Sequence, residues 1–146
     1  MGIRNHFLWL KISATFQILT AAMHSLSLIK NPTPSNDQEA QMLSLMSGVH
    51  MDLGSGFTPT MEDFMTSFSI AFTLLLLFAG VLNWFLVHKR AGSSLLNGIV
   101  IIQVIIFGLC FITMWRYTFI IPVICVGLIF IALLISWRTM DSPTDN

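Results

Sequence analysis

Residues 64–87 read FMTSFSIAFTLLLLFAGVLNWFLV, a stretch that contains no Asp, Glu, Lys, Arg or His. The hydrocarbon core of a bilayer is about 30 Å thick, and a helix needs roughly 20 predominantly apolar residues to cross it. The stretch therefore predicts a membrane-spanning helix. Its lack of ionisable side chains makes a water-facing helix of a soluble core a poor alternative.

Three more stretches have the length and composition of membrane spans, at residues 8–29, 95–115 and 119–137. The first contains Gln17 and His24, which favours a retained span over a cleaved secretory signal. Of the 146 residues 55% are hydrophobic and 10% are charged, whereas soluble domains carry about a quarter charged residues. The predicted fold is an all-α membrane protein, a single domain built as a four-transmembrane-helix antiparallel bundle.

The positions of Lys and Arg predict how this bundle is oriented. One side of the membrane would hold Arg4, Lys11, Lys89, Arg90 and Arg138, and the other only Lys30 and Arg116. Because cytoplasmic loops carry the excess of basic residues, we expect the N- and C-termini to be cytoplasmic. The short connection between the third and fourth spans predicts a tight antiparallel hairpin.

The external segment, residues 30–63, is the long connection of the predicted bundle. After a turn at residues 31–36, Met42, Leu45, Met46 and Val49 recur at i, i+3, i+4 and i+7. This spacing predicts a short amphipathic helix that lies at the membrane interface. Thr60 and Asp63 resemble a capping box at the start of the second span.

Polar side chains share one face of the first span and one face of the second. Because polar groups are costly in lipid, both faces should turn toward protein, which predicts a polar interior that could bind a ligand. The candidate ligand-binding residues are Gln17, Thr20, His24, Thr66, Ser69, Thr73, Asn83 and Gln103. Gln17 and Gln103 lie at similar depth, which predicts a hydrogen bond, and Gly80 would admit a neighbouring backbone. Alternatively, these side chains only join helices, at about 0.6 kcal/mol per contact.

His24 suggests a second kind of site, because an ionisable group within a span is by default a functional hypothesis. An outward-opening pocket could gather metal ligands from the span ends and the external segment. The candidates are His24, His50, Asp52, Glu62 and Asp63, which offer imidazole and carboxylate groups suited to zinc, iron or copper. The same groups could relay protons, or they could be ordinary solvated charges. No recognised metal-site spacing is present, and the sequence names no cofactor.

Residues 31–43, NPTPSNDQEAQML, and 51–84, MDLGSGFTPTMEDFMTSFSIAFTLLLLFAGVLNW, carry a resemblance. They resemble a group of small uncharacterised bacterial four-helix integral membrane proteins. The resemblance implies a multi-pass protein of the bacterial inner membrane. It implies no activity, since none is established for the group.

Three classes of function follow from these patterns. The first is a non-enzymatic membrane protein that binds a lipid-like ligand or acts as an accessory subunit of a membrane complex. The second is a metal-dependent or redox membrane enzyme with an outward-facing site around His24, and the third is a proton-coupled small transporter. The expected partners are the lipid bilayer and other membrane subunits or further copies of the chain. Seven Lys and Arg balance seven Asp and Glu without a basic cluster, which argues against nucleic-acid binding.

Overall fold

The computed structural model of the chain describes residues 3–29, 33–52, 54 and 56–140. The described residues form five helices: α1 (Ile3–Ser27), α2 (Asp37–Gly48), α3 (Met61–His88), α4 (Ser93–Tyr117) and α5 (Ile120–Met140). The spans predicted at 64–87, 95–115 and 119–137 match α3, α4 and α5 to within three residues at each end. Lys30 and the first two residues of the turn predicted at 31–36 lie outside the described residues.

Three of the helices, α3, α4 and α5, are long and apolar enough to cross a membrane. The first helix, α1, is also long, but Lys11, Gln17 and His24 reduce its apolar character. The described part of the chain is therefore helical with three candidate membrane spans. The span predicted at residues 8–29 stays a prediction.

The predicted hairpin is formed by α4 and α5, which meet along their length. At the end of α4, the backbone N–H of Thr118 donates to the carbonyl of Met114 at 3.0 Å. The rings of Phe111 and Phe130 stack across the pair with centroids 6.2 Å apart. Each ring lies against a glycine of the other helix, Phe130 on Gly108 and Phe111 on Gly127. The absence of a Cβ at these glycines lets large rings fill the space between two closely packed helices.

The described residues form two compact units. The first unit consists of the described residues up to Thr20 together with those from Leu76 onward, and it has a buried apolar core. Its fully buried apolar side chains include Leu10, Ala14, Leu96, Val100, Ile129 and Leu133. The second unit is Ala21–Leu75, and it contains α2, none of whose residues is buried. Cys110 and Cys125 are free thiols rather than a disulfide.

In the second unit, α2 and α3 each begin with a side-chain cap. The carboxamide oxygen of Asn36 accepts from the backbone N–H of Glu39 at 2.8 Å, and the Glu39 carboxylate accepts from Ser35 N at 2.7 Å. At α3 the Thr60 hydroxyl accepts from Asp63 N at 3.1 Å, while the Asp63 carboxylate accepts from Thr60 N at 2.9 Å. Both pairs satisfy backbone donors that a helix start leaves free. The capping predicted at Thr60 and Asp63 is confirmed.

The C-terminal end of α3 is closed by a residue in the left-handed backbone conformation. Arg90 has a φ of 48°, and the N–H of Ala91 donates to the carbonyl of Leu86 at 3.0 Å. Helices commonly end this way with glycine, which has no Cβ to crowd the following carbonyl. A side chain in this conformation costs roughly 1–2 kcal/mol. The turn thus closes α3 with a basic residue at a position that favours glycine.

Candidate functional site

Three buried amide side chains meet in the first unit: Gln17 of α1, Asn83 of α3 and Gln103 of α4, here called the amide cluster. Asn83 Nδ2 donates to Gln17 Oε1 at 2.9 Å and to Gln103 Oε1 at 2.8 Å. Gln103 Nε2 donates back to Asn83 Oδ1 at 2.8 Å, and Gln17 Nε2 donates to Gln103 Oε1 at 3.2 Å. The predicted hydrogen bond between Gln17 and Gln103 is therefore present. Each of the three side chains is bonded to both of the others, and the sequence did not predict the bonds that involve Asn83.

The amide cluster suits the joining of helices better than it suits proton chemistry. A carboxamide has donors and an acceptor but does not ionise, so it neither takes up nor releases a proton. Each of the three carbonyl oxygens accepts a hydrogen bond from within the cluster. Such a closed network fixes the relative register of the helices that contribute to it. The geometry favours the interpretation that these three residues hold α1, α3 and α4 together.

Gly80 brings α3 close to α1 beside this cluster. A Cβ at Gly80 would lie 2.7 Å from Ile18 Cγ1, 3.0 Å from the Ala14 carbonyl oxygen and 3.2 Å from Gln17 Cβ. All three distances are shorter than ordinary van der Waals contacts, and the carbonyl belongs to the backbone. The close backbone approach predicted at Gly80 is confirmed.

Two buried serines of the first unit differ in their hydrogen bonding, and this difference predicts opposite effects of one substitution. Ser13 and Ser136 are both fully buried. The Ser136 hydroxyl donates to the carbonyl of His6 at 3.0 Å, whereas the Ser13 hydroxyl has no partner among the described residues. An unsatisfied buried polar group costs about 1–3 kcal/mol. We expect Ser13→Ala to leave the thermal unfolding midpoint in detergent unchanged or raised, and Ser136→Ala to lower it. A lower midpoint for Ser13→Ala would show that its hydroxyl has a partner.

The remaining polar residues of the predicted interior are placed differently from the amide cluster. Thr20 is half-buried in α1. The other four lie in the second unit, where Thr66 is exposed and the Thr73 hydroxyl donates to the Ser69 carbonyl of the same helix at 2.9 Å. The His24 ring packs edge-on against Phe72, with centroids 5.4 Å apart. Since Thr73 is satisfied within its own helix, its hydroxyl does not require a polar partner on another one.

The five predicted metal ligands do not gather into a site. No three His, Cys, Asp or Glu side chains in the described ranges lie close enough together to hold a metal ion. His50 Nδ1 lies 2.8 Å from the Thr58 carbonyl oxygen, and the Asp52 carboxylate accepts from Gly54 N at 2.9 Å. The Asp63 carboxylate caps α3 through Thr60, and Glu62 is exposed. The carboxylates of Asp52 and Asp63 thus satisfy local backbone donors, as turn and cap residues do.

An apolar groove runs along the contact of α1 and α3 in the first unit, and we call it the lipid groove. It has a volume of about 670 Å³. Its lining residues are Thr15, Ile18, Leu19, Val81, Trp84, Phe85 and His88. The sequence did not predict this groove, because spacing within one helix does not show which apolar residues of two helices lie side by side. Among the described lining residues, His88, the last residue of α3, is the one that can ionise.

Two more basic residues directly follow His88. Lys89 Nζ lies 5.9 Å from the centre of the Phe85 ring, a residue that lines the lipid groove, and Arg90 forms the turn that ends α3. A cation over an aromatic face is attracted by the negative charge of the ring surface. The groove therefore has an apolar wall, with His88 at the end of α3 and Lys89 close to Phe85.

No family model matches the chain, and no curated protein or solved structure matches it either. The functional assignment therefore depends on the chemistry of the lipid groove and of the helices that form it. The described lining of that groove is mainly apolar, and His88 lies where α3 ends.

Proposed function

We propose that this chain is a non-enzymatic membrane protein that binds an anionic lipid-like molecule in the lipid groove. In this proposal α1 is a fourth span, and both termini face the cytoplasm of a bacterium. Support for the orientation comes from the excess of Lys and Arg on that side. The observation that carries the proposal is the groove itself, with an apolar wall and a basic end.

The apolar part of the groove fits an acyl chain. Pockets that bind small molecules have volumes of roughly 300–1,000 Å³ and are lined mainly by hydrophobic and aromatic side chains. The lipid groove, at about 670 Å³, lies within that range. Because α3 is apolar enough to cross a membrane, the groove would open toward the hydrocarbon phase, where acyl chains are the available ligand.

The basic end of the groove fits an acidic headgroup. Trp84 and His88 line this end, and Trp is enriched where membrane helices meet the headgroup region. Lys89 and Arg90 directly follow in sequence. Basic groups at the cytoplasmic side of a membrane bind acidic headgroups, at roughly 1 kcal/mol for each Lys or Arg near the surface. An anionic lipid would therefore satisfy both ends of the groove.

Two single variants test the acyl contacts, and one double variant tests the headgroup contacts. Leu19→Trp and Val81→Trp place a bulky ring in the groove at positions that are half exposed, so the core is left unchanged. We expect them to reduce binding of both phosphatidylglycerol and phosphatidylcholine, measured by native mass spectrometry from mild detergent. The double variant Lys89→Gln and Arg90→Gln should weaken only phosphatidylglycerol binding, by about 2 kcal/mol or roughly thirtyfold.

Ile102→Trp supplies the matched control. Ile102 is 58% exposed on α4 and does not line the groove, so its replacement should leave lipid binding unchanged. The proposal fails if the native protein retains no lipid beyond the level of the detergent mixture, or if Ile102→Trp reduces binding as much as Val81→Trp. It also fails if a stoichiometric protein partner, rather than lipid, is displaced by the two groove variants.

A further inference from the structure

Four methionines converge on one groove in the second unit, here called the methionine groove. It has a volume of about 640 Å³. Its lining residues are Gln38, Gln41, Met42, Leu45, Met46, Val49, Met51 and Met61. Four of the nine methionines in the chain thus meet at one place, although they come from three separate segments.

Local structure explains how these segments meet. Met42 and Met46 lie four residues apart on α2, so they share a face of that helix. After α2 the chain is extended, and an antiparallel bridge pairs His50 with Thr60. The backbone N–H of Met51 donates to the Pro59 carbonyl at 2.9 Å. This pairing holds Met51 beside the start of α3, where Met61 is the first residue.

The methionine groove is distinguished by its side-chain chemistry rather than by its shape. Leucine would fill an apolar groove equally well, whereas methionine adds a soft, polarisable thioether sulfur. Soft sulfur ligands select Cu(I), zinc and iron–sulfur clusters, while carboxylates suit harder ions. Zinc and iron–sulfur sites take their sulfur from Cys thiolates, so Cu(I) is the metal that a set of neutral thioethers suits best. The absence of a His, Cys, Asp or Glu cluster in the described ranges therefore does not bear on a thioether site.

The charge of the surrounding segment favours a cation. Residues 33–63 contain no Lys or Arg. The acidic residues in this range are Asp37, Glu39, Asp52, Glu62 and Asp63. A surface with one sign of charge raises the local concentration of ions of the opposite sign. Neutral thioethers in an acidic segment could thus bind a soft monovalent cation without burying excess charge.

We propose that the methionine groove binds Cu(I) through the thioether sulfurs of Met42, Met46, Met51 and Met61. His50 is not among the proposed ligands, because adjacent residues of an extended segment point to opposite sides and Met51 occupies the groove side. The proposal is independent of lipid binding, since the lipid groove is formed by other residues in the first unit.

The test uses the full-length protein, freed of metal in mild detergent and titrated anaerobically with Cu(I) against a chromogenic Cu(I) chelator. We expect one high-affinity ion per chain. Met42→Leu with Met46→Leu, and Met51→Leu with Met61→Leu, should each weaken binding at least about tenfold, the loss that follows even from removing an outer-shell partner of a metal ligand. Leucine conserves volume and apolar character, so packing and membrane contact should be retained.

Met23→Leu with Met65→Leu is the matched control, because both residues belong to the second unit but neither lines the groove. This variant should bind Cu(I) as tightly as the native chain. Equal unfolding midpoints for all variants would exclude loss of fold as the cause of weaker binding. The proposal is overturned if the native protein binds no stoichiometric Cu(I), or if a variant that combines all four Met→Leu changes binds Cu(I) as tightly as the native chain. It is also overturned if the control variant loses the same affinity.

Discussion

Asn83→Leu should markedly destabilise the first unit through the loss of hydrogen bonds in the amide cluster. Asn83 takes part in three of the four hydrogen bonds, and leucine has a similar branched shape without polar atoms. Hydrogen bonds between membrane helices contribute about 0.6 kcal/mol each on average, so three of them suggest a loss of roughly 2 kcal/mol. The thermal unfolding midpoint in detergent, followed by size-exclusion chromatography after heating, measures the effect.

Two further variants test whether the cluster acts as a unit. Gln17→Met removes two of the four bonds and should therefore lower the midpoint less than Asn83→Leu. A triple variant, Gln17→Met with Asn83→Leu and Gln103→Met, leaves no amide unpaired and should be more stable than the sum of the single losses predicts. Additive losses would mean that the three amides contribute independently, contrary to the network described above.

Gly80→Ala is the second change with a large expected effect. The added Cβ would meet Ile18 Cγ1 at 2.7 Å and the Ala14 carbonyl at 3.0 Å, so the Ile18 side chain must shift and the neighbouring backbone of α1 must give way to admit it. Overpacking of this kind typically costs about 1–3 kcal/mol. We expect a lower unfolding midpoint and weaker lipid retention, because the lipid groove is formed by the same pair of helices.

Gly98→Ala is the control for this substitution. Gly98 lies in α4, and a Cβ there would have no atom within 4 Å. Alanine is favoured over glycine in a helix by up to about 1 kcal/mol, so Gly98→Ala should be neutral or stabilising. If both glycine variants shift the midpoint in the same direction, the close packing of α1 against α3 is not what makes Gly80 necessary.

The long helices could be predicted from composition, because apolar runs of this length are typical of membrane-spanning helices. Similar depth predicted the hydrogen bond between Gln17 and Gln103, and the polar face of the second span predicted the close approach at Gly80. Neither pattern predicted the hydrogen bonds of Asn83 to the two glutamines, nor the hydrogen bond from Ser136 to His6. Those contacts depend on how far one helix is shifted along another, and side-chain spacing within a single helix does not determine that shift.

In the external segment, the sequence predicted local features but not how separate stretches of the segment come together. The segment contains a helix, α2, that ends at Gly48, while its predicted place at the membrane interface stays a prediction. The cap at Thr60 is confirmed. The predicted pocket of His24, His50, Asp52, Glu62 and Asp63 required a loop path that the sequence could not supply. In the structure that path brings methionines together instead, because the pairing of residues 50 and 60 places Met51 and Met61 on the groove side.

The left-handed turn at Arg90 has opposite consequences for the folding of this protein and for its insertion into a membrane. Glycine would relax the backbone there, so Arg90→Gly should ease the final folding of the loop between α3 and α4. Under the proposed topology, the same substitution would remove one of the cytoplasmic positive charges that set the orientation of membrane helices during insertion. Arginine at position 90 would therefore keep a small backbone strain and preserve a charge that orients α3 in the membrane.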